Sequence, residues 1–231
     1  MSICEKHIWP AFKLLLSAGT PIQKLIGGGG ETHLFLNRQG LLILKNDNRT
    51  GAHNLAEKYK SVLDLGNLWA DQGWKCFAHY YKPQTGKGFI PWISAINEGC
   101  GYFQLALTSW KAGKPREAMF YLGATAHIIQ DMCVPHHAMG IAFNGHRKFE
   151  LWALSNKDQY KQKYGAEYKH INDIGELISG NAIIAQMHYD NVAYYSNKYA
   201  NSGKEMLLLA QKSTATLYDY FYKTALTPQK Q

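Results

Sequence analysis

Apolar residues follow a helical period along almost the whole chain. Leu34, Leu41, Leu42 and Ile43 share a moderately apolar helix that is expected to end near Lys45. Further helices are predicted over residues 93–111, 115–134, 146–163, 171–199 and 204–225. No run of alternating apolar and polar residues is long enough to indicate a sheet. The predicted fold class is therefore all-α, with a single multi-helix domain.

Glycine and proline mark the predicted breaks between these helices. Gly66 and Asn67 are expected to separate a pair of helices, and residues 83–88 (PQTGKG) are expected to form a loop. Pro135 disfavours helical backbone at the residue before it, so the preceding helix should end at Val134.

Composition is typical of one globular domain and adds a basic surface. Hydrophobic residues make up 46% of the 231 residues and charged residues 18%, which excludes an intrinsically disordered protein. The formal net charge of +8 favours anionic partners such as lipid surfaces or nucleic acid. No run of five basic residues occurs, so a dedicated nucleic-acid arm is not predicted. The four cysteines lack C-x-x-C spacing and are expected to be buried thiols.

The densest set of candidate metal ligands lies between residues 127 and 150, which read HIIQDMCVPHHAMGIAFNGHRKFE. His127 and Asp131 are four residues apart, as are His146 and Glu150, so on a helix each pair shares one face. Nitrogen and oxygen ligands without thiolate suit zinc in a catalytic site better than in a structural one.

A Pro-His-His turn connects the two pairs and is expected to return His136 or His137 toward them. The full pattern, H-x3-D-x5-H-x8-H-x3-E, resembles the zinc-dependent phospholipase C family. That family includes bacterial phosphatidylcholine-preferring phospholipases C and the catalytic domain of the clostridial alpha toxins. The family pattern places its third ligand at His137 and leaves His136 as a neighbour that points elsewhere.

The resemblance extends over roughly residues 30–226. The segment GETHLFLNRQGLLILKND resembles the family's first ligand helix and places its histidine at His33. The segment LDLGNLWADQGWKCFAHYYKP resembles the part that supplies an aspartate and then a histidine, here Asp71 and His79. The resemblance implies an all-helical catalytic domain over residues 30–231, built around a cluster of zinc ions.

The resemblance also implies how the ligands are shared. The first zinc would take Asp71, His79, His127 and Asp131; the second would take His137, His146 and Glu150; the third would take His33 and share Asp131. Relatives complete the third site with an N-terminal tryptophan, whereas Trp9 lies 24 residues before His33. Cleavage after Ala18 or Gly19 would instead leave an amine near the family spacing. Two or three zinc ions per chain are therefore expected. Residues 1–29 are expected to form an N-terminal segment that precedes the catalytic domain.

Clustered zinc ions favour hydrolysis of a phosphoester. Zinc lowers the pKa of bound water to about 7 and so supplies hydroxide at neutral pH, while neighbouring ions offset charge on the phosphate. The resemblance implies a phospholipase C that releases diacylglycerol and a phosphorylated headgroup. Asp71 is expected to be both ligand and general base, with Asp64 as the alternative carboxylate. Gln72 and Cys76 stand where choline-preferring relatives carry aromatic residues, so no strong choline preference is expected.

Two other functions remain open at the level of sequence. A nuclease of the S1/P1 type resembles the same fold and zinc cluster, although its ligand set generally ends with aspartate after a longer gap. A metal-binding protein without catalysis is the third hypothesis.

The expected partner is a phospholipid membrane surface, with no specific nucleic acid and no identifiable protein partner. The resemblance implies a secreted or membrane-associated protein, while the lack of a convincing signal peptide leaves the cytoplasm open. Trp69, Tyr80 and their aromatic neighbours are expected either to pack between helices or to line a pocket.

Overall fold

A computed structural model describes residues 30–226 of the chain, apart from residues 91, 169–170 and 195–198. The expectations for residues 1–29, including Trp9 and the cleavage site, lie outside this part. The described residues form ten α-helices and two 3-10 segments. The α-helices are α1 (Gly30–Asn46), α2 (Thr50–Lys58), α3 (Lys60–Ala70), α4 (Ala95–Lys111), α5 (Pro115–Asp131), α6 (Pro135–Met139), α7 (His146–Asn156), α8 (Ile174–Gln186), α9 (Tyr189–Val192) and α10 (Tyr199–Leu226). The 3-10 segments are Gly73–Ala78 and Lys157–Tyr160.

The all-α prediction is confirmed. Among the described residues, strand-like pairing is limited to two isolated bridges, Lys82 with Lys87 and Ile90 with Ile93. The first bridge closes the predicted loop at residues 83–88. No helix in this part of the chain is long and apolar enough to cross a membrane.

The central helix of the fold is α5. It packs along α3 and α4 and also contacts α1, α8 and α10. Every residue from Leu122 to Asp131 is buried, so the polar residues at the end of α5 face the interior. The helix ends three residues earlier than predicted, and Val134 takes an extended backbone (φ −97°, ψ 118°) because Pro135 follows it.

Gly66 and Asn67 do not separate two helices, so that prediction is wrong. α3 runs through both residues, and the break lies at Tyr59, between α2 and α3. Gly66 instead permits close packing, since a Cβ at this position would lie 1.8 Å from the carbonyl oxygen of Phe120 in α5. A Cβ at Gly123 would likewise meet the backbone of α3 at 2.0 Å. The backbones of α3 and α5 therefore touch, which side chains would prevent.

Two predicted helices are shorter than expected. The helix predicted over residues 146–163 ends at Asn156, whose side chain donates a hydrogen bond of 2.7 Å to the backbone of the preceding turn. The helix predicted over residues 171–199 is divided into α8 and α9. α8 ends at Gln186, and the amide of this residue donates to the carbonyl oxygen of Ala138 at 2.7 Å. A local side-chain contact thus accompanies the end of α7, and a tertiary contact accompanies the end of α8.

The cysteines depart in part from the expectation of four buried thiols. Cys133 is a buried free thiol, while Cys76 is a free thiol that is only partly buried. Cys100 is disulfide-bonded, so the expectation is wrong for this residue. The spacing of the cysteines along the chain does not predict this bond.

Candidate metal centre

Two helix ends supply the two pairs of histidine and carboxylate. In the last turn of α5, His127 Nε2 lies 3.2 Å from Asp131 Oδ2. In the first turn of α7, His146 Nε2 lies 2.9 Å from Glu150 Oε1. The spacing of four residues aims each imidazole and its carboxylate to the same side of the helix.

Three histidines from different elements meet at Asp131. Its Oδ1 lies 3.4 Å from His33 Nε2 of α1, and its Oδ2 lies 2.8 Å from His79 Nδ1, which follows the first 3-10 segment. Asp71, directly after α3, forms a further group with His79 and His127, in which the donor atoms lie within 4.8 Å of one another. Asp131 is 3% exposed and His79 is 1% exposed, whereas Asp71 is partly exposed. The structure therefore brings together the residues that sequence analysis assigned to the first and third zinc ions.

His137, in the short helix α6, lies beside the pair on α7. Its Nδ1 donates a hydrogen bond of 2.7 Å to the backbone carbonyl of His79. This leaves its Nε2 3.6 Å from Glu150 Oε1, and the donor atoms of His137, His146 and Glu150 lie within 4.8 Å of one another. His136 Nε2 donates instead to a backbone carbonyl of the loop before α7, at 3.1 Å. The proline turn thus brings His137, and not His136, to this group.

The spacing and chemistry of these atoms fit zinc. Ligands of a tetrahedral zinc ion, each about 2.0–2.1 Å from the metal, stand about 3.3 Å apart. The facing donor atoms are 3.4 Å apart for His33 and Asp131, 3.2 Å for His79 and His127, and 3.6 Å for His137 and Glu150. These nitrogen and oxygen atoms face one another, and a cation between them could therefore accept their electron pairs.

The surroundings keep both carboxylates ionised. Burial would raise the pKa of Asp131, but the neighbouring imidazoles of His127, His137 and His79 hold this pKa well below its usual range. Partial burial also opposes ionisation of Glu150, yet the neighbouring imidazoles of His137 and His146 keep its pKa low. Burial lowers the pKa of His127 to about 4, so this imidazole is neutral at pH 7. Ionised carboxylates and neutral imidazoles are the states that bind metal.

Sequence analysis missed the amide side chains behind the histidines. Asn37, Asn67 and Gln130 are each at most 1% exposed. His33 Nδ1 lies 2.8 Å from Gln130 Oε1, and His127 Nδ1 lies 3.3 Å from Asn67 Oδ1. One sequence signal was available, because Gln130 follows His127 by three residues and so shares its helix face. The position of Asn67 depends on the close contact of α3 with α5 and had no such signal.

The alternative carboxylate, Asp64, lies outside all three donor groups found among the described residues. It pairs with Arg38 and accepts a hydrogen bond of 3.0 Å from Asn37 Nδ2. Of the two aspartates, Asp64 within α3 and Asp71 directly after it, Asp71 is therefore the one that lies beside His79.

The aromatic residues near Asp71 divide between the two expected roles. Trp69 packs against Phe120 of α5, with ring centroids 5.2 Å apart, and so belongs to the core. Tyr80 stacks on His137 at 4.6 Å and is in turn covered by Phe89 at 5.5 Å. Tyr80 therefore forms part of the wall of the metal-binding group.

Comparison with known proteins gives related sequences over most of the chain. A family model described as zinc dependent phospholipase C matches residues 32–221. The chain is 32% identical over 129 residues to a phospholipase C of Bacillus cereus, covering 52% of this chain and 46% of that protein. It is 28% identical over 203 residues to a phospholipase C of Clostridium haemolyticum, covering 77% of this chain and 49% of that protein. The chain thus spans about half the length of these relatives.

Solved structures show the same fold. The alpha toxin of Clostridium absonum has a TM-score of 0.74 at 21% identity, covering 85% of this chain and 64% of that one. The alpha-toxin of an avian strain of Clostridium perfringens has a TM-score of 0.72 at 23% identity, covering 86% and 65%. Because the family model matches well over half of the sequence, the chain belongs to the zinc-dependent phospholipase C family.

Proposed function

We propose that this protein is a zinc-dependent phospholipase C that hydrolyses glycerophospholipids to diacylglycerol and a phosphorylated headgroup. The observation that carries this proposal is the convergence of three groups of nitrogen and oxygen donors at the ends of α5 and α7. The relatives named above are phospholipases C, which supports the same reaction here.

The donor groups are proposed to hold two or three zinc ions. Asp71, His79, His127 and Asp131 would hold the first ion, His137, His146 and Glu150 the second, and His33 with the shared Asp131 the third. The side chain of Glu150 is 41% exposed, so the second group opens to solvent and to substrate. When bound, zinc supplies positive charge beside the phosphate and makes hydroxide available at neutral pH.

Asp71 is proposed to be the general base as well as a ligand. Its carboxylate lies in the buried donor group with His79 and His127, yet it is itself partly exposed at the end of α3. It can therefore orient a water molecule and accept its proton while the water oxygen bonds to phosphorus. The bond from phosphorus to the glycerol oxygen then breaks, and that oxygen takes up a proton.

Exposed aromatic side chains close to the donor groups support a lipid substrate. Trp92 and Phe143 are each 75% exposed. Trp92 follows Phe89, which covers Tyr80 beside the second group, and Phe143 lies in the loop between α6 and α7. Exposed aromatic rings suit the boundary between lipid and water.

The proposal is tested with zinc-loaded protein on phospholipid vesicles. Vesicles of phosphatidylcholine and vesicles enriched in anionic phospholipid are compared, with single-stranded DNA in parallel, and diacylglycerol and the released phosphate ester are measured. We expect both vesicle types to yield diacylglycerol without a strong choline preference, since neither Gln72 nor Cys76 is aromatic. DNA cleavage without diacylglycerol would favour the nuclease, and zinc binding without either product would favour a non-catalytic protein.

The variant Asp71→Asn separates catalysis from metal binding. The amide keeps one oxygen as a weaker ligand but is not a base, so kcat should fall by about 10²–10⁴-fold with a much smaller change in zinc content and KM. Loss of zinc in proportion to activity would show that Asp71 is a ligand only. Unchanged zinc content and unchanged activity would refute both roles.

A further inference from the structure

A buried chain of amide side chains connects the surface ion pair of Asp64 to two of the proposed zinc ligands. Asn37, Asn67 and Gln130 form this chain between α1, α3 and α5, and each is at most 1% exposed. The chain ends at the Nδ1 atoms of His33 and His127. Because an amide oxygen only accepts and an amide nitrogen only donates, each hydrogen bond fixes the direction of the next.

The first fixed point is Asp64. Its carboxylate pairs with Arg38 and only accepts hydrogen bonds, so Asn37 must present Nδ2 to it, at 3.0 Å. The Oδ1 atom of Asn37 therefore points inward as an acceptor. It accepts from Gln130 Nε2 at 3.0 Å and from the hydroxyl of Tyr218 at 3.0 Å.

A second fixed point lies on α10. The hydroxyl of Thr214 donates its proton to the carbonyl of Ala210 at 2.7 Å. Because its own proton is used in this way, the hydroxyl oxygen can only accept a hydrogen bond from Gln130. The donor is Gln130 Nε2, which lies 3.1 Å away. Both hydrogens of Gln130 Nε2 are thus used, and Gln130 Oε1 must face His33.

The orientation of Gln130 decides the protonation of His33. Gln130 Oε1 lies 2.8 Å from His33 Nδ1, so this nitrogen carries the proton. In this tautomer the Nε2 atom of His33 holds a lone pair, which faces Asp131 Oδ1 at 3.4 Å.

The same chain decides the protonation of His127. Asn67 Nδ2 donates to Gln130 Oε1 at 3.1 Å and to Asn37 Oδ1 at 3.3 Å, which leaves Asn67 Oδ1 as an acceptor. This oxygen lies 3.3 Å from His127 Nδ1, so that nitrogen carries the proton. His127 Nε2 therefore carries a lone pair, and this atom faces Asp131 Oδ2 at 3.2 Å.

We propose that Gln130 and Asn67 are positioning residues that fix His33 and His127 as Nδ1-protonated imidazoles and so reserve both Nε2 atoms for zinc. The proposal rests on the metal centre of the proposed function. Its physical basis is that groups behind a metal ligand set the tautomer and orientation of its ring, and their loss commonly weakens metal binding by about 10–100-fold. The lone pairs of His33 Nε2 and His127 Nε2 both face Asp131. One hydrogen-bonded chain therefore orients a ligand for each of two neighbouring zinc ions.

The test compares two variants of the full chain, Gln130→Met and Thr214→Val. Methionine fills a similar volume without an acceptor for His33, while Thr214→Val removes another member of the chain and leaves that acceptor in place. Nitrogen-15 spectra of the histidine side chains are recorded with zinc and after its removal, and zinc affinity is measured by competition with a chelator.

In zinc-free wild type and Thr214→Val, we expect the Nδ1-protonated form of both histidines. In zinc-free Gln130→Met, His33 should shift toward the Nε2-protonated form, which can donate to Asp131, while His127 stays unchanged because Asn67 remains. The weakest zinc of Gln130→Met should bind about 10–100-fold less tightly than in Thr214→Val.

An Nε2-protonated His33 in the zinc-free wild type would overturn the proposal. Equal losses of zinc affinity in the two variants, with no change of tautomer, would also overturn it, because both would then act through packing alone. If wild type shows the expected tautomers but takes up no zinc, the proposed function fails while the assigned direction of the hydrogen bonds stands.

Discussion

The contact between α3 and α5 makes a sharp prediction for Gly66→Ala. In an exposed part of a helix, replacing glycine with alanine stabilises a protein by roughly 0.5–1 kcal/mol. At Gly66 the new Cβ would lie 1.8 Å from the carbonyl oxygen of Phe120, where an ordinary contact needs 3.4 Å or more. The obstacle is backbone, so the two helices must move apart by more than about 1 Å. Such overpacking costs about 1–3 kcal/mol and occasionally more, which exceeds the gain in helix propensity.

The expected outcome is a lower melting temperature and a damaged metal centre. For a chain of this size each kcal/mol shifts Tm by about 2–4 °C, so a net loss of about 2 kcal/mol should lower Tm by about 4–8 °C. Asn67 follows Gly66 and lies 3.3 Å from His127 Nδ1, so a displacement of this size would break that hydrogen bond. Zinc should therefore bind more weakly as well.

Gly180→Ala is the matched control. Gly180 also lies within a helix, α8, but a Cβ there would meet nothing within 4 Å. This variant should melt at or slightly above the temperature of wild type, with unchanged zinc affinity. Thermal unfolding with and without zinc gives the comparison. A Gly66→Ala variant that is as stable as Gly180→Ala would refute the close approach of α3 and α5.

Three further outcomes are expected. His137→Ala should remove one zinc per chain by elemental analysis, because two remaining ligands in an open site bind weakly; a full complement would contradict its assignment. Asp131→Asn should abolish turnover and lower Tm in excess zinc, since it removes a charge that three histidines contact, and full activity would contradict a shared ligand. Burial would raise the pKa of Asp47, but hydrogen bonds from the backbone of Gly165, the hydroxyl of Tyr168 and the backbone of the intervening loop lower it. The carboxylate therefore stabilises the fold above its unfolded pKa of about 3.9, and the deficit of Asp47→Ala in urea unfolding should persist from pH 7 to 5 and shrink below about pH 4. A deficit that does not depend on pH would show that packing, and not charge, stabilises this loop.

The sequence was informative where ligands are close along the chain. The pairs His127/Asp131 and His146/Glu150 lie one helical turn apart, so helical periodicity alone places each pair on one face. His33, Asp71 and His79 come from distant elements, and periodicity gives no reason for them to meet. Only the resemblance to a family with the same ligand order assigned them.

The errors share one physical origin. Glycine in a helical pattern is compatible with a break or with a close approach of two backbones, and only the partner helix decides between them. The neighbours of Gly66 along the chain predict a break, because they carry no sign that Phe120 of α5 lies against it. The role of Asn67 is hidden from the sequence for the same reason, since it arises from the packing of α3 on α5.

The burial of the metal centre links metal binding to the stability of the whole fold. His127 and Asp131 are at most 3% exposed and belong to α5, the helix that packs most extensively against its neighbours. A buried carboxylate that faces neutral nitrogen lone pairs is costly unless a cation lies between them. These residues also occupy the C-terminal end of α5, where the helix dipole favours positive charge. Because α5 lies at the centre of the core, a dication bound at its last turn would stabilise the helices packed around it. Removing zinc should therefore destabilise these helices as well.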